Sequence, residues 1–385
     1  GDWSSDVCSS DLAVMPTVNE ILLNESIHHA VSLDQYKLSV VRRIIALLNQ
    51  SDSSLTDALA KALERLPAES FTVERLEALL AEVRAINAQA YAQVAQELQA
   101  DLKELSGYET NWQQTLFERA IPEPVLVRFP IASVSAEQAY AAAMSRPFQG
   151  SLLKDWAAKV EADRMVNVRN AIRTGYLEGK TTDQIVRSIR GTRAAGYADG
   201  FLERPRKDLA AVVRTAVSHT AATARQEFSK ANEEILKAER WVSTLDNKTS
   251  EPCRIRDQLQ YTVDTHKPIG HKIPWLQGPG KIHWNCRSTS SPVTKSWREL
   301  GIPIDEMTPG QRASMDGQVP ADTTYSDWLG RQSDARKVEV LGPMRYQLYK
   351  DGKHTLEDFY SPTGEWLTLA QIAERDAQTF AKMAA

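Results

Sequence analysis

The reading turns on two stretches, Trp241-Val-Ser-Thr-Leu-Asp-Asn-Lys-Thr-Ser-Glu-Pro-Cys253 and, further along, Lys281-Ile-His-Trp-Asn-Cys-Arg287. Upstream of them apolar residues recur at helical steps. Inside them they do not. Residues 241–245 read as a short strand, and from Asp246 to Pro292 glycine, proline and polar residues dominate. A long irregular segment within a compact chain calls for a function or a cross-link that holds it.

Working outward, the upstream half reads as helix. Leu33, Tyr36, Val40, Val41, Ile44, Leu47 and Leu48 lie three and four residues apart, and Leu55, Leu59, Leu63 and Leu66 continue the stripe until Pro67 stops it. Phe71, Val73, Leu76, Leu79, Leu80, Val83 and Ile86 follow. Such stripes predict a bundle seam. The prolines of residues 121–130 predict an extended break. Helix is expected again over 135–144, over 152–177, after Thr182 as N-cap, and over 208–236, where His219 reads as a partly buried, satisfied histidine.

Downstream, residues 296–322 read as a linker rich in Pro, Gly, Asp and Thr. A small C-terminal module over 323–385 draws its buried face from Tyr325, Trp328, Leu341, Phe359 and Trp366, among others. The predicted fold is mainly α with a small irregular α+β C-terminal part: a helical N-terminal bundle (13–130), then residues 131–295, with helices to 238 leading into a short-strand and loop Cys/His module over 241–293.

The first twelve residues read as an artefact, because residues 2–12 match one frame of a sequencing-adapter oligonucleotide; a Ser/Asp-rich leader is the other reading. Without Asp2, Asp6 and Asp11 the 50 acidic residues fall to 47 against 46 basic ones, a net charge of −1. A near-neutral chain has no overall field for nucleic acid, so any DNA contact must be local. Without Cys8, Cys253 and Cys286 are the remaining cysteines, too few for a disulfide framework. No apolar run approaches the roughly 20 residues of a membrane span, and no secretory pattern is present, so the expectation is a cytosolic product with no membrane partner.

Chemistry concentrates in the irregular segment. His283 and Cys286 stand three residues apart, a spacing at which one tight turn aims both at a tetrahedral ion, and Cys253 arrives from upstream. A fourth ligand of a structural zinc could be His266, His271, Asp246, Asp257 or a water. Two other readings stay open: a pair of buried thiols packing as small apolar groups, and a disulfide. Arg287 reads as a partner for Asp246 that fixes the loop, or as a phosphate ligand. Arg187, Arg190, Arg193, Arg204, Arg206 and Lys207 form the densest basic run, beside Gly191, Gly196 and Gly200. It reads as a mobile, solvated loop, with contact to DNA phosphates as the functional alternative. No phosphate-binding glycine loop, nucleophile elbow or His-Glu-x-x-His motif is present.

The two stretches resemble the phage Mu F-like minor head protein family, also called the head morphogenesis family. Trp241, Thr244, Asp246, Thr249 and Cys253 are similar to its first signature, and His283-Trp-Asn-Cys286-Arg287 to its second. Val213-Arg-Thr215 and the turn Arg146-Pro-Phe-Gln-Gly150 also resemble the family, as do Tyr325 to Leu329 and Leu341 to Arg345, so the likeness runs over about 147–369. Gly278-Pro-Gly280 departs from the two prolines usual before the histidine. The resemblance implies a minor structural protein of the procapsid, with portal and procapsid or scaffold proteins as partners. It implies residence in the host cytoplasm during assembly and then in the virion head, and a role in DNA packaging or ejection. It implies no catalysis. The competing readings are a metal-dependent nuclease or toxin-type effector, and a DNA-binding accessory protein.

Overall fold

The structure is a computed structural model, and it describes residues 17–65, 72–303, 311–314, 317–320, 323–352 and 354–383. The proposed adapter segment, Leu66, Pro67 and Phe71 lie outside the described residues, as does part of the expected linker.

The two leucine stripes form one helix, α1 (Val18–Glu64), opened by a capping box between Thr17 and Glu20. Two helices follow, α2 (Val73–Leu79) and α3 (Ala81–Ala120). The expected extended break contains α4 (Glu123–Arg128), with Pro122 as N-cap and Pro124 in the first turn. The prolines there start a helix, because first-turn amides need no intrahelical partner. Next come α5 (Ala136–Ser145), α6 (Leu153–Leu177) and α7 (Thr182–Arg190). The N-cap of α7 is Thr181, one residue before the expected Thr182, with Gln184 closing its capping box. Helix α8 (Glu203–Ala231) begins a turn earlier than expected and ends sooner, where the Asn232 side-chain Nδ2 donates to Ala132 O (3.0 Å) and Phe228 O (2.9 Å).

The chain then enters a three-stranded antiparallel sheet of order β2-β1-β3, built from β1 (Leu236–Val242), β2 (Gln260–Tyr261) and β3 (Thr289–Thr294), with the one-turn helix α9 (Glu251–Arg254) between β1 and β2. Trp241 pairs with Ser290 and Glu239 with Tyr261. The expected linker holds a hairpin of β4 (Gln311–Ser314) and β5 (Gly317–Pro320). The C-terminal module carries α10 (Tyr325–Gly330), α11 (Asp334–Leu341), α12 (Pro343–Lys350) and α13 (Leu369–Met383).

The mainly helical class with a small sheet is therefore as the sequence predicts. Packing does not break at residue 130, however. One buried cluster joins Val40 and Ile44 of α1, Val94 and Leu98 of α3, and Val213 and Val217 of α8. Asn19 at the start of α1 accepts from the Thr294 amide at the end of β3 (2.8 Å), tying the bundle to the sheet. Among the described residues, no helix is long and apolar enough to cross a membrane.

Candidate metal centre

The loop sequence dictates how the two cysteines meet. Ser250-Glu-Pro-Cys253 starts α9 with Pro252 in its first turn, which places Cys253 facing inward. The second arm is the turn from His283 to Cys286, where Asn285 takes a left-handed conformation (φ 57°) that asparagine tolerates better than most residues. That turn is anchored on the helices. The Asn285 amide donates to Thr215 Oγ1 of α8 (3.1 Å), and Trp284 packs edge-on against Trp156 of α6. Gln149, from the 146–150 turn, donates to Lys281 O (2.8 Å). Gly278 takes φ 91°, and a Cβ there would lie 2.5 Å from Trp275 Nε1, so Gly278-Pro-Gly280 keeps the loop close to that ring.

These supports bring Cys253, His283 and Cys286 together, with their ligand atoms all within 4.8 Å of one another. The sulfurs lie 3.8 Å apart, as free thiols, and Cys253 Sγ is 3.3 Å from His283 Nε2. Both cysteines are 1% exposed, inside a small core with Trp241, Tyr261 and Trp275. His283 Nδ1 donates to Trp284 O (2.9 Å), which leaves the Nε2 lone pair facing the sulfurs. Electrostatically the set is a coupled donor–acceptor group. Cys286 accepts a hydrogen bond from Cys253, which holds its thiol well below the usual cysteine range, with His283 adding to the effect. Cys253, as the donor and deeply buried, is held well above that range. Burial pulls His283 down, but the hydrogen bond and charge of Cys286 outweigh it, and its pKa is raised.

None of the four protein side chains suggested as a fourth ligand joins the set. Asp246 accepts two bonds from the Arg287 guanidinium (2.5 and 2.8 Å) and one from Thr249 Oγ1 (3.0 Å). Asp257 accepts from the Ser243 amide (2.8 Å). His271 Nε2 donates to Gln260 O (2.9 Å), and His266 stacks on Trp275. Arginine and backbone partners claim the first three of these groups, and ring stacking holds His266. The side chain that does reach the cluster is Ser250, whose Oγ lies 2.7 Å from His283 Nε2. Its sequence signal was its place as N-cap of an Glu-Pro helix start. The hydroxyl makes no capping bond and turns to the histidine instead.

The remaining signature residues hold the loop. Thr249 Oγ1 donates to Thr244 O (2.5 Å), and Thr244 Oγ1 to Arg287 O (3.5 Å). Trp241 is fully buried. A cleft of about 230 Å³ lies beside the Arg287–Asp246 pair, lined by Ile27, Val31 and Asp34 of α1 and by Thr244 and Leu245. Arg287 is thus a loop-fixing partner of Asp246, with the cleft at its flank.

The basic run is not one loop. Arg187 and Arg190 end α7, Arg193 lies in the connection, and Arg204, Arg206 and Lys207 open α8. The connection is fastened by Asp199, which accepts from the Thr192 amide (2.7 Å) and hydroxyl (2.8 Å). Arg206 is turned inward to Asp52, Arg190 lies over the Tyr197 ring, and Lys207 pairs with Glu203 (3.5 Å). Arg187, Arg193 and Arg204 stay exposed.

Residues 166–291, from within α6 to β3, match the family described as "Phage Mu protein F like protein". This chain carries a phage Mu F-like region. The resemblance read from the two signatures is borne out, and the Mu F-like region takes in the whole Cys/His loop. The chain is also similar to the NAD(+)–arginine ADP-ribosyltransferase EFV of Enterococcus faecalis, 25% identical over 202 residues that make up 50% of this chain and 38% of that protein. The chain thus spans under two fifths of that relative's length. No solved structure matches it.

Proposed function

We propose that this protein is a minor head protein of a tailed phage or prophage, built into the procapsid beside the portal and acting in DNA packaging or ejection. The observation that carries this reading is the family match over 166–291, which takes in the C-terminal part of α6, helices α7 and α8, most of the sheet and the loop they support. That unit is a rigid scaffold rather than an open reaction site. Its two thiols are 1% exposed, so a substrate cannot touch them without the loop opening. Its Asp246 and Arg287 neutralise each other. The protein then works by binding other head components and performs no catalysis.

The test is co-purification. A tagged copy expressed with the other head genes is expected to bring down the portal protein and to sediment with procapsids. Recovery of the protein free of both would contradict the reading. The enzyme alternative is tested by incubating the purified chain with labelled NAD+ and an arginine-bearing acceptor. No transfer is expected, and stoichiometric labelling of the acceptor would reverse that.

A direct DNA contact rests on Arg187, Arg193 and Arg204, which remain exposed after Arg206 is committed to Asp52. Three phosphate contacts lower the slope of log affinity against log salt by roughly 2.7 on duplex DNA. Removing all three cations should flatten the slope by that amount. A slope unchanged by the triple substitution would take DNA out of the account.

A further inference from the structure

We propose that Cys253, His283 and Cys286 bind one zinc ion, with a water at the fourth corner and the Ser250 hydroxyl beside the site as a hydrogen-bonding support. The argument begins with distances. Two Zn–S bonds of about 2.3 Å at the tetrahedral angle put their sulfurs about 3.8 Å apart, and a Zn–N bond of about 2.0–2.1 Å puts the nitrogen about 3.5 Å from each sulfur. Cys253 and Cys286 Sγ are 3.8 Å apart, and Cys253 Sγ is 3.3 Å from His283 Nε2. A disulfide would require about 2.05 Å between the sulfurs.

The surroundings separate an ion site from thiols that merely pack. Apolar packing gives no reason for an imidazole lone pair to point at two buried sulfurs. Here His283 Nε2 faces Cys253 Sγ at 3.3 Å with the Ser250 hydroxyl 2.7 Å from that nitrogen, and its lone pair is available because Nδ1 donates to the Trp284 carbonyl. A backbone carbonyl fixing the histidine tautomer is the usual support of a metal-bound imidazole. The ligand backbones are held as well: Cys253 O accepts from Ser243 Oγ (2.7 Å), and Cys286 O from Ser218 Oγ of α8 (3.3 Å). Two thiolates and one imidazole in tetrahedral array select zinc over the harder magnesium and calcium.

An ion also accounts for the loop. Residues 243–288 hold four helical residues and a two-residue strand, and the cluster ties the α9 arm to the His283–Cys286 arm. Metal binding energy at such a site is folding energy.

The experiment uses the full chain, expressed with zinc in the medium, purified under reducing conditions without chelator and analysed for metal by mass spectrometry. One zinc per chain is expected. C253S and C286S should retain less than about a tenth of that after gel filtration. Because those variants can misfold, the wild-type chain is also reconstituted with Co2+. Sulfur-to-cobalt charge transfer in the near ultraviolet and intense tetrahedral bands in the red are expected. S250A should keep one ion per chain with affinity lowered about tenfold. Wild-type protein that carries no stoichiometric zinc and gives no tetrahedral cobalt spectrum would overturn the site. S250A binding as tightly as wild type would overturn the support assigned to Ser250.

Discussion

Asp246 is where the first signature is made into structure. Its carboxylate takes both arms of the Arg287 guanidinium, the Thr249 hydroxyl and the Lys248 amide (3.0 Å). Burial alone would raise its pKa, but the Arg287 fork and the Thr249 bond outweigh it and hold it below the usual carboxylate range. A carboxyl lowered on folding contributes stability that is present above its unfolded pKa and lost as pH falls through the folded one. D246N should therefore cost about 1–3 kcal/mol at neutral pH by urea unfolding, with the part-exposed Arg287 limiting the loss, and the gap should narrow at acid pH. R287K should recover only part, since an ammonium cannot make the two-pronged contact. His219 titrates on another branch. Burial, the largest cause, pulls its pKa down to about 4 from 6.5, with Nε2 donating to Ala143 O (2.9 Å). The unfolded chain takes up this proton below 6.5 and the fold only near 4, so stability is full above 6.5 and falls between these values, by up to about 3 kcal/mol. H219Q should remove that slope from the wild-type curve of unfolding free energy against pH. An unchanged difference curve over this window would show that His219 does not carry it.

Among the elements, α1 shows what a sequence reveals and what it hides. Its leucine stripe predicts helix on both sides of Ser51-Asp-Ser-Ser54, four residues that favour caps and turns. The helix runs through them because Ser51 and Thr56 hydroxyls donate back to Leu48 O and Asp52 O (2.8 Å each), while Asp52 turns inward to Arg164 of α6 and Arg206 of α8. D52A would strand two guanidiniums, one of them fully buried, and should cost about 3–5 kcal/mol in urea unfolding; a loss under about 1 kcal/mol would show that the network is not holding the three helices. Periodicity was enough to find α6 and α8 because their buried faces repeat every three or four residues. It missed α4, where prolines sit in the first turn, and the β4–β5 hairpin, which is too short to show alternation. At the Cys/His cluster, residue type alone singled out Cys253, His283 and Cys286, since few side chains offer soft donors. The fourth position was not legible. Which carboxylate is already claimed by an arginine, and that Ser250 turns from its cap to a histidine, are facts of tertiary packing.

Across the whole molecule the Cys/His loop is enclosed on two sides. Helices α6 and α8 hold it from below through Trp156 and Thr215, and the C-terminal module covers it from the other side. Tyr325 OH donates to Asp246 O (2.9 Å), Tyr360 OH to Glu251 O (3.1 Å), and the Arg254 guanidinium to Val340 O (3.0 Å). Leu245 from the loop lies in the same buried cluster as Trp328, Leu341 and Phe359. W328A should cost about 3–5 kcal/mol and speed proteolytic cleavage within 241–293, because the module that seals the loop is loosened. Cleavage confined to residues beyond 323 would show that the two do not depend on each other. Under the proposed function, a loop braced from both sides inside the Mu F-like region presents a fixed surface to neighbouring head components. The most direct measurement is quantitative mass spectrometry of gradient-purified procapsids and heads from the phage or induced prophage that encodes this chain. The account predicts the chain in both; its absence from procapsids and heads, with the protein left free in the lysate, would contradict it.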